Sequence, residues 1–235
     1  MELFNSDCLE KLKDIGDDSV DLICCDLPYG QTKATWDTAI DLDELWVQLK
    51  RVRKNTTPIF MFGTLKFGLE LIASNKKEFK YELVWEKVAS TGFLMSKKRP
   101  LVSHEYIFVF YKKQTLYDLN SNHKITIKER NDPKRKEGDL YGCGSVNKLN
   151  VYEPRLLKSI WEFNKKKNKI NSTAKPIDLL KRILKYYSKE GDVVLDPTMG
   201  SGTMIIACNQ MKRKSIGIEL NKDMYDNAVK FIGEN

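Results

Sequence analysis

Histidine is nearly absent from this chain, with two in 235 residues, and the five cysteines include no Cys-x-x-Cys pair. Both shortages argue against a structural zinc, which needs several closely spaced thiolate or imidazole ligands, and no metal site is expected. The cysteine number is odd, and two of them, Cys24 and Cys25, are neighbours inside an apolar run. That pattern argues against a disulfide framework and for a reducing, cytoplasmic setting. No apolar stretch is long enough to cross a bilayer and Met1-Glu2-Leu3 begins no signal peptide, so no membrane partner is expected. The glycine-rich turn Gly200-Ser201-Gly202 lacks the lysine of a phosphate-binding loop and is too short for the full dinucleotide fingerprint.

The chain is long enough for one α/β domain with an insertion and a real core. Its net charge of +8 is unevenly placed. Residues 112–169 hold 15 Lys/Arg against 7 Asp/Glu, which is the whole excess; the remainder of the chain balances. A charge run is usually a solvated face, but an excess confined to the least periodic segment points towards contact with a polyanion.

Two stretches carry chemistry. The first is Asp26-Leu27-Pro28-Tyr29-Gly30, which closes the apolar run from Val20 to Cys25. Such a run reads as a buried strand ending in a turn, and open α/β sheets bind ligands just outside the carboxyl ends of their strands. The second is Asp192-Val193-Val194-Leu195-Asp196-Pro197-Thr198-Met199-Gly200-Ser201-Gly202-Thr203, a strand, a glycine turn and a helix start. A further strand, Lys214-Ser215-Ile216-Gly217-Ile218-Glu219, then ends in an acid. Glycines admit close approach of backbone to a ligand at a helix N-terminus, and an acid ending the next strand can grip ribose hydroxyls.

Asp-Leu-Pro-Tyr near the start, with Asp-Pro-Thr-Met-Gly-Ser-Gly-Thr near the end, resembles the amino-group (adenine-N6 and cytosine-N4) DNA methyltransferases. The order, with the catalytic motif first and the cofactor motif last, is similar to their permuted beta group, and especially to the small site-specific adenine methylases common in phages and prophages. The resemblance covers about residues 1–111 and 159–235. It implies a Rossmann-like fold, an α/β seven-stranded, mostly parallel sheet with helices on both faces. It also implies S-adenosyl-L-methionine as cofactor, double-stranded DNA as partner, DNA methylation of the restriction-modification kind as activity, and it allows a homodimer.

The same resemblance assigns roles. Asp26 and the Leu27 carbonyl would accept the two protons of the target amino group; the family usually has Pro at position 27, but a carbonyl survives the change. Pro28 stiffens the turn and Tyr29 offers a ring to the flipped base. Asp7 and Cys8 would read the cofactor's adenine, although an Asp capping the next helix is an equally good account of position 7. Asp196, Thr198, Gly200, Ser201, Gly202 and Thr203 would surround the methionine part beside Asp26, and Glu219 would bind ribose. Where the family has His-Pro-Thr-Gln-Lys-Pro, this chain keeps Thr173, Lys175 and Pro176. Thr173 and Lys175 would hold the methionyl carboxylate.

Residues 112–158 interrupt the βα alternation, with only a short alternating stretch at Ile125-Thr126-Ile127, and fill the slot of a target-recognition region. Lys134, Arg135 and Lys136 there, and Lys97, Lys98 and Arg99 in the loop bordering the target base, are the expected DNA contacts. Trp36, in the loop after the catalytic turn, reads as an anchor, and His104 as a structural group rather than an acid or base. Adenine N6 is the preferred target because many cytosine-N4 enzymes have Ser where this chain has Asp26. Cytosine N4, an RNA adenine and a cofactor-fold protein that binds nucleic acid without turnover are the alternatives. The intact Asp26, Tyr29 and glycine turn weigh against the last.

Overall fold

A computed structural model describes residues 1–28, 40–129, 148–164 and 174–235. Tyr29, Trp36, Thr173, Lys134, Arg135, Lys136 and the lysines at 165–167 lie outside that set. Two compact units emerge, one formed by residues 1–117 with 159–235, the other by residues 118–158.

The larger unit is built on a sheet of eight strands among the described residues. These are β1 (Glu2–Asn5), β2 (Leu22–Cys25), β3 (Ile59–Gly63), β4 (Phe79–Thr91), β5 (Val102–Phe110), β8 (Ile160–Phe163), β9 (Val193–Asp196) and β10 (Lys214–Glu219). They lie in the order β1-β10-β9-β2-β3-β5-β4-β8. All neighbours are parallel except β5, which runs against both β3 and β4. The strand number corrects the expected seven to eight. At 13 residues, β4 is long enough to offer its outer edge to another strand, and β8 takes it through Val84↔Ile160 and Trp85↔Trp161. The Trp85 indole N–H donates to the Phe163 carbonyl at 3.0 Å, so an otherwise bare edge is covered.

Strands buried on both faces read as unbroken apolar runs, and β2 and β3 do so at every position. Alternation decides which helix each residue meets. Ile59 and Met61 of β3 share a core with Leu12 of α1 (Cys8–Leu12), Leu45 and Leu49 of α2 (Leu42–Val52) and Leu71 of α3 (Leu65–Ser74). Phe60, one residue out of phase, points to the other face and meets Tyr187 of α4 (Ile177–Tyr187) edge-on at 4.9 Å. Beyond it, Ile205 and Ile206 of α5 (Thr203–Gln210) pack with Ala228 and Ile232 of α6 (Lys222–Gly233). Gly68 of α3 is required by close approach: a Cβ there would come within 1.9 Å of the Phe108 ring.

The two motif-bearing strands meet in the middle of the sheet. β2 and β9 pair in parallel through Leu22↔Val194 and Ile23↔Leu195. From β2 the chain passes through α2 to β3 on one side; from β9 it passes through α5 to β10 on the other. Adjacent strands whose connections diverge leave a crevice at their carboxyl ends, the place where open α/β sheets bind ligands.

The smaller unit contains β6 (Lys124–Glu129) and β7 (Lys148–Glu153), paired antiparallel from Lys124↔Glu153 to Glu129↔Lys148. The alternation at Ile125–Ile127 therefore marks one strand of a two-stranded sheet. Residues 112–117, read with the insertion, belong to the larger unit. The Lys113 N–H donates to the Asn55 carbonyl at 3.0 Å, and the Tyr117 ring stacks on Tyr186 at 5.5 Å.

Candidate active site

Asp26 follows directly on β2 and Asp196 ends β9, so the switch point places two carboxylates at neighbouring strand ends. Between them opens a cleft of about 410 Å³, counting its mouth. Cys24, Cys25, Asp26, Phe62, Ala174, Lys175, Leu180, Asp196, Thr198, Met199, Gly200, Ser201, Thr203 and Met204 line it. Residues named from both motifs of the sequence thus share one cavity. Leu27 is buried with Ile23 and Cys25 in the core, which fixes the backbone that carries its carbonyl. The Thr198 hydroxyl donates to the Asp26 carbonyl at 3.2 Å, tying the catalytic turn to the glycine turn.

The glycine turn is held by its own acids. Glu219, at the end of β10, accepts from the Gly200 N–H at 3.0 Å through Oε2 and from the Asn221 N–H at 2.8 Å through Oε1. Asp196 accepts from the Thr198 N–H at 3.2 Å. Gly202 adopts φ +73°, and a Cβ there would lie 2.6 Å from Ile232 Cδ1, so both backbone and packing exclude a side chain. Gly202 thus serves the α5–α6 contact, while Gly200, Ser201 and Thr203 face the cleft.

Burial pushes the Asp196 carboxyl up to about 8, partly opposed by the Thr198 N–H and reinforced by the nearby Asp26 and Glu219 charges. Burial also raises Glu219, against the pull of the Asn221 and Gly200 N–H groups. Two desolvated carboxylates at adjacent strand ends favour a ligand that brings positive charge.

Lys175 also lines the cleft, 9% exposed, with Nζ 2.6 Å from Asp26 Oδ2 and 3.2 Å from Glu105 Oε2. Glu105 in turn is paired through Oε1 with Lys87 at 2.5 Å. Lys87, Glu105, Lys175 and Asp26 form a chain of alternating charge running from β4 across β5 to the catalytic turn. Burial lowers the Lys175 pKa and the facing Asp26 and Glu105 carboxylates raise it, with a net rise. Burial raises Glu105, Lys175 and Lys87 lower it, and the lysines win. The sequence reading gave Lys175 to the cofactor's carboxylate; in this structure its ammonium is on Asp26 and Glu105. Sequence alone assigns Glu105 no role. Its only sequence signal is its place beside His104 at a strand start, and His104 itself packs edge-to-face on Tyr106 at 5.1 Å.

Asp7 caps α1, its Oδ1 accepting from Leu9 N–H at 2.8 Å and Glu10 N–H at 3.2 Å. The β1–β10 register sets Asn5 against Glu219, and the Ser6 N–H donates to the Glu219 carbonyl at 3.1 Å. Asp7 and Cys8 therefore stand next to the ribose candidate. Burial raises the Cys8 thiol to about 11, with Asp7 and Glu219 adding to the rise, so it stays neutral. Lys97, Lys98 and Arg99 are exposed on the β4–β5 connection.

A family profile described as DNA methylase, of the N6/N4 methyltransferases, matches residues 20–230. The type II methyltransferase M1.MboII of Moraxella bovis is 26% identical over 98% of this chain and 95% of its own length. The DNA adenine methyltransferase YhdJ of Escherichia coli K12 is 28% identical over 94% and 79%. In fold, the chain superposes on the M1.HpyAVI–SAM complex with a TM-score of 0.67 at 20% identity, over 97% of both chains. It superposes on the cytosine-N4-specific PvuII DNA methyltransferase with 0.68 at 12% identity, over 99% of this chain and 89% of the other. With its match spanning both strand-end motifs and the cleft between them, the chain belongs to the N6/N4 DNA methylases, a family dependent on S-adenosylmethionine.

Proposed function

We propose that this chain transfers the methyl group of S-adenosylmethionine to the N6 amino group of a flipped-out adenine at a specific site in double-stranded DNA. The observation that carries the reading is Asp26 at the switch point, at the mouth of the cleft and one-third exposed. The cofactor supplies an activated methyl group, and the cleft suits it. The desolvated Asp196 would face its positive charge, while the ammonium of Lys175 would face its carboxylate.

The chain's own work is positioning. The amino nitrogen of adenine is a poor nucleophile because its lone pair is delocalised into the ring. Acceptors that draw its two protons aside restore that lone pair; the Asp26 carboxylate and the Leu27 carbonyl are the two candidates. Asp26 would accept one amino proton beside its contact with Lys175. Glu219 positions the glycine turn through Gly200 and keeps further lone pairs for ribose hydroxyls. Pro28 limits the backbone at the turn, and Tyr29 would stack on the base. Thr173 would join Lys175 on the cofactor, and Asp7 with Cys8 would border its adenine. Residues 118–158 would read the target, with Lys134, Arg135 and Lys136 on phosphates.

Expression in a methylation-free host, followed by long-read sequencing of its DNA, tests base and site together. N6-methyladenine at one recurring sequence is expected. N4-methylcytosine would transfer the reading to the other amino group, and an unmodified genome would overturn it.

A further inference from the structure

The strands β4 and β5 do not stop at the sheet. β4 runs parallel to β8 and antiparallel to β5, which is antiparallel to β3; β4 therefore points the same way as β2, and its far end leaves the sheet at the edge where Asp26 lies. The Lys87–Glu105 pair, joined through Lys175 to Asp26, fixes where the arm departs. Past that pair the ladder shifts register between Glu86 and Thr91, the kind of irregularity that bends and twists a ribbon.

The end of the arm is a built turn. Gly92, at φ +88°, starts the short 3-10 helix Phe93–Met95. Met95 N–H donates to the Gly92 carbonyl at 2.9 Å, and Lys98 and Arg99 N–H donate to the Met95 carbonyl at 2.8 and 3.0 Å. This turn presents apolar side chains outward: Phe93 is 79% exposed and Leu94 97%. Three to six residues on stand the exposed cations Lys97, Lys98 and Arg99. Holding an aromatic and a leucine in water at a hydrogen-bonded tip is costly unless something covers them.

We propose that Phe93 and Leu94 form a wedge that enters duplex DNA at the target base pair, filling the gap left by the extruded base. The inference rests on the methyltransferase reading above. A base methylated inside such a cleft must leave the helix, and the vacated step loses its stacking. Apolar side chains inserted between base steps are a known physical answer to that loss, and adjacent cations on phosphates hold them there. The charge selects DNA over a second copy of this chain. A symmetric self-contact through the tip would press two Lys97-Lys98-Arg99 clusters together, whereas phosphates complement them.

The test uses the full chain with both side chains replaced, Phe93→Ser and Leu94→Ser, on the duplex whose methylated site the host genome identifies. Because both residues are exposed, an unchanged thermal melt and unchanged S-adenosylmethionine affinity are expected. Methyl transfer to the intact duplex should fall roughly tenfold or more, the scale of losing one stacked contact. The same duplex with an abasic site opposite the target should lose clearly less, since its base is already loose. With 2-aminopurine at the target position, the parent should raise its fluorescence and the variant should not. Equal transfer by parent and variant, or an equal loss on both duplexes, would overturn the wedge while leaving the enzyme reading intact. So would a parent dimer in sedimentation that the substitutions dissociate. A parent chain that methylates no duplex at all would overturn the enzyme reading, and the wedge with it.

Discussion

Lysine does two different jobs in two regions of this molecule. In the charge chain leading to the catalytic turn, Lys87 and Lys175 are 11% and 9% exposed and alternate with Glu105 and Asp26, so that every charge has an opposite neighbour. On the arm, Lys97 and Lys98 are exposed, and residues 112–169 carry the net basic excess. In a low dielectric a charge must be paired where it sits, whereas in water its field reaches outward and is limited by salt. The same side chain is thus an internal fixture of the catalytic turn in one place and a candidate phosphate contact in the other. Perturbations that act on paired charges should separate the regions from those that act on screened ones.

The sharpest break is at Asp26. Asp26→Ala should cost at least about 100-fold in turnover, the scale of losing one transition-state hydrogen bond. Glu105 remains for Lys175, so the variant should fold and retain most of its affinity for S-adenosylmethionine. Single-turnover kinetics beside a calorimetric titration would show it. Near-normal methylation by a folded variant would remove the central role given to this carboxylate.

Lys175→Met tests the paired charges themselves. It keeps the apolar stem against Phe62, whose ring centre lies 5.1 Å from Nζ, but leaves Asp26 and Glu105 facing each other without the cation between them. A fully buried pair broken this way costs about 3–5 kcal/mol; Asp26 is one-third exposed, so roughly 2 kcal/mol is expected. Denaturant unfolding is the measurement. A loss below about 0.5 kcal/mol would mean that water already screens the chain of charges.

How much of this was legible beforehand depends on sequence distance. Helix and strand periods placed α3 and β10 at their observed bounds, because apolar spacing is local. The two motifs could be joined into one site because each carries its own strand, turn and acid. β7 was missed: its leucine and valine alternate at 149 and 151, but its partner β6 lies some twenty residues upstream, too far for local spacing to pair them. The ion pair of Lys175 with Asp26 spans 149 positions, and nothing local to either residue announces it. Glu105 was invisible for the same reason, since its meaning comes from β5 lying between β4 and β3. The eighth strand was read as a strand, but its place on the edge of β4 is a property of the sheet.

Asp196 offers a pH-dependent effect with a definite sign. Its folded pKa of about 8 lies above its ordinary value of 3.8. A carboxyl that binds its proton more tightly when folded supports the fold at acid pH, and that support fades as pH rises from about 4 to about 8. Asp196→Asn cannot ionise and should escape the loss. Without cofactor, the variant's advantage in thermal stability should therefore grow between pH 5 and pH 8, by up to about 1.4 kcal/mol per pH unit, and level off above. An advantage that is constant across this range would show that the carboxylate is already solvated in the folded chain.

The smallest expected effect belongs to the inserted segment, and salt is the probe that isolates it. Counterions released from DNA make log affinity fall with log salt at a slope of about −0.9 per phosphate neutralised. If the segment supplies phosphate contacts, replacing Lys134, Arg135 and Lys136 together by Ala should flatten that slope by about one or more units. The same change at Lys165, Lys166 and Lys167, which precede the Thr173–Lys175 stretch in the chain, should flatten it less. Neither set should alter S-adenosylmethionine affinity, because the paired charges of the cleft are untouched. Lys175→Met, in contrast, should leave the slope unchanged while harming stability, so the two classes of lysine respond to opposite tests. Filter binding at several salt concentrations reads all three variants. An unaltered slope in both triple variants would transfer the phosphate contacts to Lys97, Lys98 and Arg99. The basic excess of the insertion would then be a solvated face, and the arm would be the DNA-contacting surface of the chain.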